Sequence, residues 1–183
     1  MPINFPNLIT ICRILLVPVT IWLLISEAYG AALAVFLIAG ISDGIDGYLA
    51  RRLNSQTELG AYLDPIADKL LLVSVYAALG IIKILPAWLV LLVVTRDILI
   101  IVGVMLAWIT GHPFVMKPLP ISKLNTAVQI AFVALVLTVY ATRLNPFLFV
   151  SWGAILVGLL TFASGAYYMR DWASHMNQAG NVK

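Results

Sequence analysis

Long apolar runs follow one another through almost the whole chain, separated only by short polar breaks, and this pattern limits the fold before any single residue is considered. Inside hydrocarbon, backbone amides and carbonyls find no water, so a crossing segment satisfies them internally as a helix. The chain is 62% hydrophobic and 10% charged over 183 residues, with a mean hydropathy of +1.03. That length holds about six spans at roughly 20 residues each and leaves no room for a soluble domain. The expectation is an all-α, polytopic membrane protein, one domain over 1–183, with six transmembrane helices near 8–26, 30–52, 60–82, 86–110, 121–141 and 147–170. The breaks at Ser26 to Gly30, Asn54 to Glu58, Ile84 to Pro86, Gly111 to Pro120 and Asn145-Pro146 carry turn chemistry. Trp22, Trp88, Trp108, Trp152 and Trp172 fall near proposed span ends, as an aromatic belt requires.

Residues 1–7, with Ile3 and Phe5 flanked by Pro2 and Pro6, read as a short N-terminal interfacial segment. No basic n-region or small-residue cleavage site precedes the first apolar run, so a retained helix is expected there rather than a signal peptide. Arg13, Arg51, Arg52, Lys69, Lys117, Lys123, Arg170 and Lys183 fall on the side of the amino terminus, against Lys83 and Arg143 opposite, which makes that side cytoplasmic. Cys12, the single cysteine, excludes an internal disulfide and reads as a small buried hydrophobe. His112 and His175 have no Cys or second His nearby to share a metal. A net charge of +3 with no basic run longer than Arg51-Arg52 points to anionic lipid rather than nucleic acid. The two halves do not correspond, which disfavours an inverted-repeat transporter.

Four of the chain's eight acids are Asp43, Asp46, Asp64 and Asp68. Acids are costly at membrane depth and usually do chemistry there. Asp43 and Asp46 are three apart, and Asp64 and Asp68 four apart, so each pair lines one face of its helix. Counted outward from the turn near Ser55, the two pairs lie at matching depth, roughly 10 to 20 Å below it. All four carboxylates can converge on one volume. Left unpaired they would cost on the order of 10 kcal/mol, and Arg51, Arg52 and Lys69 are too few to offset them. A bound cation answers this, and an all-carboxylate set suits Mg²⁺ or Mn²⁺; two ions would balance four charges. The alternative is a solvated helix end of caps and salt bridges. Gly44, Gly47, Ala50 and Gly60 remove side-chain bulk beside the acids, either for close helix packing or to admit a pyrophosphate, which Arg51 is placed to grip by forked hydrogen bonds.

Asp43 to Asp68 reads D-x2-D-G-x2-A-R-x8-G-x3-D-x3-D without departure. This resembles the signature of the CDP-alcohol phosphatidyltransferases, and the likeness extends to chain length and span number. The resemblance implies a six-helix membrane enzyme, typically a homodimer, that transfers a phosphatidyl group from CDP-diacylglycerol to an alcohol and releases CMP. It implies that Asp43, Asp46, Asp64 and Asp68 hold the metals and that Asp68 is also the general base. Gly47, Arg51 and Thr57 correspond to contacts with the CDP moiety, with Ala50 and Gly60 in the same cleft. Asn7, Thr10 and Arg13 match the polar face of the family's first helix, and helix entry and anchoring explains them equally well.

Two further places bear on the acceptor. Thr95-Arg96-Asp97 and Ser122-Lys123-Leu124-Asn125-Thr126-Ala127-Val128-Gln129 resemble the cardiolipin synthases of mitochondrial and actinobacterial type. Phosphatidylglycerophosphate synthases instead resemble Arg-Glu followed by G-K-x-K-T, from which Asp97, Ser122 and Asn125 depart. A second lysine suits the dianion of glycerol 3-phosphate, whereas phosphatidylglycerol offers a phosphodiester monoanion. Asn125 therefore tilts the expectation toward a lipid acceptor, phosphatidylglycerol, with Arg96, Lys123 and Asn125 as acceptor-binding residues. The plainer reading of Arg96 is a buried pair with Asp97. A cation channel or transporter would need acids along a path through the bilayer, and outward from Asp43 the first three spans offer only Glu27 at the far rim. Gly153, Gly158, Ala163, Ser164 and Gly165 in the sixth span fit either a partner subunit in a homodimer or a neighbour in the same chain. The lack of an Arg-rich transit peptide favours a bacterial inner membrane, with the site facing the cytoplasm.

Overall fold

The computed structural model describes the backbone of residues 5–53, 58–109 and 120–180, and the side chains of 12–42, 69–102 and 120–171. The described residues form helices and no strand: α1 Phe5–Ile25, α2 Tyr29–Leu53, α3 Glu58–Ile81, α4 Ala87–Ile109, α5 Pro120–Ala141 and α6 Phe147–Gly180. The all-α expectation holds, and most helix ends fall within three residues of the expected spans. Two ends differ in kind. Residues 5–7, read as part of an interfacial lead-in, already belong to α1, because Pro6 in a first helical turn loses no hydrogen bond; residues 1–4 lie outside the described residues. At the other end α6 continues to Gly180, past the apolar stretch that closes at Asp171. Hydropathy marks where hydrocarbon would end, but helical hydrogen bonds persist beyond it.

Among the described residues, Pro120–Ala141 and Phe147–Asp171 are long and apolar enough to cross a membrane, while Cys12–Ile25, Tyr29–Ser42 and Lys69–Ile81 are shorter apolar helices. Large side chains such as Leu15, Trp22, Leu91, Trp152 and Phe162 are each more than 60% exposed. So much exposed apolar surface is solvated by lipid and would aggregate in water, and the chain is a membrane protein. This also corrects the expectation for Cys12, which is exposed. It shares an exposed stripe with Leu15, Val19 and Trp22 on α1; burial in protein is not needed where lipid is the solvent.

The chain packs as two compact units, Met1–Leu85 with Val133–Phe149 and Pro86–Phe132 with Val150–Lys183. In the first, α1 packs on α2 and α3, and α2 touches α3. Its core includes Leu24, Ala32, Val75, Tyr76, Leu79, Val136 and Leu137. The end of α5 meets the start of α2, where the Tyr29 and Tyr140 rings lie 5.2 Å apart and a Cβ on Gly30 would sit 3.8 Å from Ala141 Cβ.

Three helices of this unit stop in the same way. Glu27, Lys83 and Arg143 take φ of 56°, 60° and 55°. Each donates its N–H to the carbonyl three residues back, and the next residue (Ala28, Ile84 or Leu144) donates to the carbonyl five back. These are Schellman caps, which satisfy carbonyls left over at a helix end. α6 opens with the complementary device, Asn145 Oδ1 accepting from Phe147 N at 3.1 Å across Pro146.

In the second unit the glycines of α6 decide the packing. A Cβ on Gly158 would sit 2.6 Å from the Trp88 ring of α4, and one on Gly153 would enter the Phe132 ring of α5. Of the two readings open for the small residues of this helix, Gly153 and Gly158 follow the contact within the chain. Gly158 meets Trp88 and Gly165 meets Arg96, so α4 and α6 run parallel, with α5 opposite.

Replacing Lys83 or Arg143 by glycine should relieve the left-handed backbone and stabilise the protein by about 0.5–1 kcal/mol. Gly153→Ala should cost about 1–3 kcal/mol by overpacking Phe132. Thermal unfolding in detergent reads both.

Candidate functional site

The polar end of the second unit is built by three helices, two of which share one repeating offset. On α5 the polar residues Ser122, Asn125 and Gln129 stand at i, i+3 and i+7, and on α6 Thr161, Ser164 and Tyr168 repeat that spacing. In an α-helix such residues share a face. Asn125, Gln129, Thr161 and Ser164 are all 0% exposed. α4 contributes Arg96 and Asp97, buried to 3% and 2% exposure.

Arg96 is the hub. Its Nη1 donates to Asp97 Oδ1 at 2.6 Å, and its Nη2 donates to Ser122 Oγ at 2.5 Å and to Ser164 Oγ at 2.8 Å. The guanidinium carbon lies 5.8 Å from the centre of the Tyr168 ring, within cation–π range. A buried guanidinium with five N–H groups needs this many partners. Its Nε has none among the described residues. Beside it, Thr161 Oγ1 donates to Asn125 Oδ1 at 3.0 Å and accepts from Gln129 Nε2 at 3.1 Å, while Asn125 Nδ2 is buried with no partner among the described residues. Arg96 and Asn125 thus keep spare donors, a chemistry suited to oxygen atoms carrying lone pairs.

The buried pair read as the plainer role of Arg96 is therefore present, with Nε left over among the described residues. Asn125 joins the same cluster. Lys123 does not: it is exposed, and no hydrogen bond links it to Arg96 among the described residues. Thr161, Gln129 and Tyr168 were not singled out as site residues from the sequence; the signal that marks them is the matched i, i+3, i+7 polar spacing on two apolar helices.

Of the acidic signature, the backbone is described and the side chains are not. Asp43, Asp46, Gly47, Ala50 and Arg51 fall within α2, and Gly60, Asp64 and Asp68 within α3. Two aspartates thus fall on each of two helices that touch. The side chains of these residues and of Asn7 and Thr10, and the whole of Thr57, lie outside the described residues. Arg13 on α1 is buried at 2% exposure.

The family model of the CDP-alcohol phosphatidyltransferases matches residues 3–164. The chain belongs to the CDP-alcohol phosphatidyltransferase family. It is similar to the cardiolipin synthase (CMP-forming) of Homo sapiens, 36% identical over 149 residues that cover 73% of this chain and 50% of that one. A putative cardiolipin synthase of Mycobacterium bovis is 32% identical over 145 residues, covering 79% and 68%. The chloroplastic CDP-diacylglycerol–glycerol-3-phosphate 3-phosphatidyltransferase 1 of Oryza sativa subsp. japonica is 37% identical over 149 residues, covering 72% and 45%. The chain spans about half the length of the human and rice relatives. Within this CDP-alcohol phosphatidyltransferase chain, the matched region takes in the acidic signature and residues 95–97 and 122–129.

Asp97→Ala should destabilise the protein by about 3–5 kcal/mol, because it strands a buried guanidinium. Ser164→Ala should cost about 1–2 kcal/mol. Denaturation of the detergent-purified chain orders the two.

Proposed function

We propose that this chain transfers the phosphatidyl group of CDP-diacylglycerol to a hydroxyl of phosphatidylglycerol, giving cardiolipin and CMP. The observation that carries the reading is the complete Asp43–Asp68 signature, carried on α2 and α3 of a chain that belongs to the family. Support for the acceptor comes from the cardiolipin synthases among the relatives and from neutral Asn125 at the position where a second lysine would suit a dianion. The rice relative favours a second reading, a phosphatidylglycerophosphate synthase using glycerol 3-phosphate.

In this reading Asp43, Asp46, Asp64 and Asp68 form an all-oxygen donor set that fits hard cations, two Mg²⁺ or Mn²⁺ ions. Such ions, when bound, supply charge neutralisation at the pyrophosphate. Gly47, Ala50 and Gly60 leave room for the CDP moiety, with Asn7, Thr10 and Thr57 as further contacts, and Arg51 grips phosphate oxygens by a forked pair of hydrogen bonds. Arg96, Lys123 and Asn125 hold the acceptor. Asp68 takes the proton of the acceptor hydroxyl as its oxygen attacks the lipid-side phosphorus; the bond to the CMP oxygen breaks and CMP leaves. The chain would act as one six-span domain over 1–183 in a bacterial inner membrane, amino terminus and site toward the cytoplasm. The homodimer is part of this proposal, but Gly153 and Gly158 lend it no support, being occupied within the chain.

Purified protein given Mg²⁺, CDP-diacylglycerol and labelled phosphatidylglycerol should release CMP and form cardiolipin, and should not use glycerol 3-phosphate. Transfer to glycerol 3-phosphate alone would move the assignment to the second reading, and no CMP with either acceptor would sink both. Asp68→Asn should lower CMP release by about 10²–10⁴-fold with the melting temperature unchanged. Chelation should stop the reaction, and added Mg²⁺ or Mn²⁺ should restore it.

A further inference from the structure

Asn125, Thr161 and Gln129 form a line of hydrogen bonds with one polarity. All three are fully buried. Gln129 Nε2 donates to Thr161 Oγ1 at 3.1 Å, and Thr161 Oγ1 donates to Asn125 Oδ1 at 3.0 Å. A threonine hydroxyl has a single proton. Because that proton goes to Asn125 while the amide of Gln129 fills the oxygen from behind, the carbonyl side of Asn125 is taken and its Nδ2 is what remains. That Nδ2 has no partner among the described residues. One helical turn earlier on the same face of α5, Ser122 accepts from Arg96, whose Nε is likewise left over. Asn125 and Arg96 thus each keep an N–H to offer a ligand. Unmade hydrogen bonds of buried donors cost free energy, so a ligand that meets them is favoured.

We infer that Thr161, with Gln129 behind it, is a positioning residue that holds Asn125 with its amide N–H toward the acceptor. The inference rests on the reading of Arg96 and Asn125 as acceptor-site residues and specifies what they recognise. Two neutral-to-cationic donors match phosphodiester oxygens or glycerol hydroxyl oxygens; they offer nothing to an amine or a metal cation. Thr161 touches no reacting atom. Its effect passes through the orientation of Asn125, which without it is free to turn its carbonyl outward and meet the phosphate oxygen with a like partial charge.

The test uses the full chain in detergent as wild type, Thr161→Ser, Thr161→Val and Asn125→Asp, with phosphatidylglycerol and CDP-diacylglycerol varied in turn. Thr161→Val should raise the KM for phosphatidylglycerol about tenfold, leaving the KM for CDP-diacylglycerol and kcat at saturating acceptor within about twofold. Thr161→Ser keeps the hydroxyl and should restore the wild-type value. Asn125→Asp, which cannot donate when ionised, should raise the acceptor KM at least as far as Thr161→Val. Thermal stabilisation by phosphatidylglycerol micelles, measured on the same proteins, reads binding without turnover and should be lost in Thr161→Val. Should Thr161→Val fail to fold, Gln129→Glu turns the line around by accepting the Thr161 proton and should raise the acceptor KM in its place. An acceptor KM unchanged in Asn125→Asp would mean that the carbonyl faces the acceptor and would overturn the inference. Equal shifts in both KM values in Thr161→Val would reduce Thr161 to a packing role. If the wild type uses glycerol 3-phosphate instead, the acceptor assignment falls while the same variants, read with that substrate, still decide Thr161.

Discussion

A guanidinium buried among apolar helices must be met by enough oxygen, and Arg96 imposes that requirement on everything around it. No single helix can meet it. The partners come from three: Asp97 beside it on α4, Ser122 from α5, and Ser164 with the Tyr168 ring from α6. Each bond constrains the rotation and depth of the helix that supplies it, so the cation sets the register of the second unit at one end. At the other end the same register is set by shape, where Gly153 and Gly158 leave room for Phe132 and Trp88. Polar satisfaction and close apolar packing thus agree on a single arrangement of α4, α5 and α6.

The first unit meets the same physical demand differently. Apart from Arg13 and Thr20 its described core is largely apolar, and further polar obligations lie at helix ends, where carbonyls lose their partners. Glu27, Lys83 and Arg143 close three helices through a left-handed residue. Glycine would adopt that backbone at lower cost. Inside the helices, Thr20 and Thr138 donate to carbonyls one turn back, Leu16 and Ala134, at 2.7 Å, so their hydroxyls need no partner from a neighbouring helix.

The two units also divide the proposed chemistry by charge. The signature places two aspartates on each of α2 and α3, which in the proposal hold cations; in the cluster on α4, α5 and α6, Arg96 and Asn125 keep N–H groups that suit oxygen. A phosphatidyl transfer needs both, a compensated pyrophosphate on the donor and an oriented hydroxyl on the acceptor. In the proposed acceptor site the neutrality of Asn125 would discriminate by net charge: a lysine there would reward a second negative charge on the ligand, and an amide would not.

Much of this was legible in the residues. The apolar runs dictated helices and their approximate ends, because a chain in hydrocarbon has few ways to satisfy its backbone, and the spacing of Asp43, Asp46, Asp64 and Asp68 dictated the family, because ligand spacing is a local property of a helix. Period alone even marked the faces, since Ser122, Asn125 and Gln129 share a side wherever α5 lies. What the linear order left open was which face meets which neighbour. Only the packed helices showed that Arg96 is bonded from three helices, that Lys123 stands outside that cluster, that Cys12 faces outward, and that the α6 glycines serve their own chain. These depend on the rotation of one helix against another, which arises from contacts between residues tens of positions apart and leaves no trace in the pattern along any one of them.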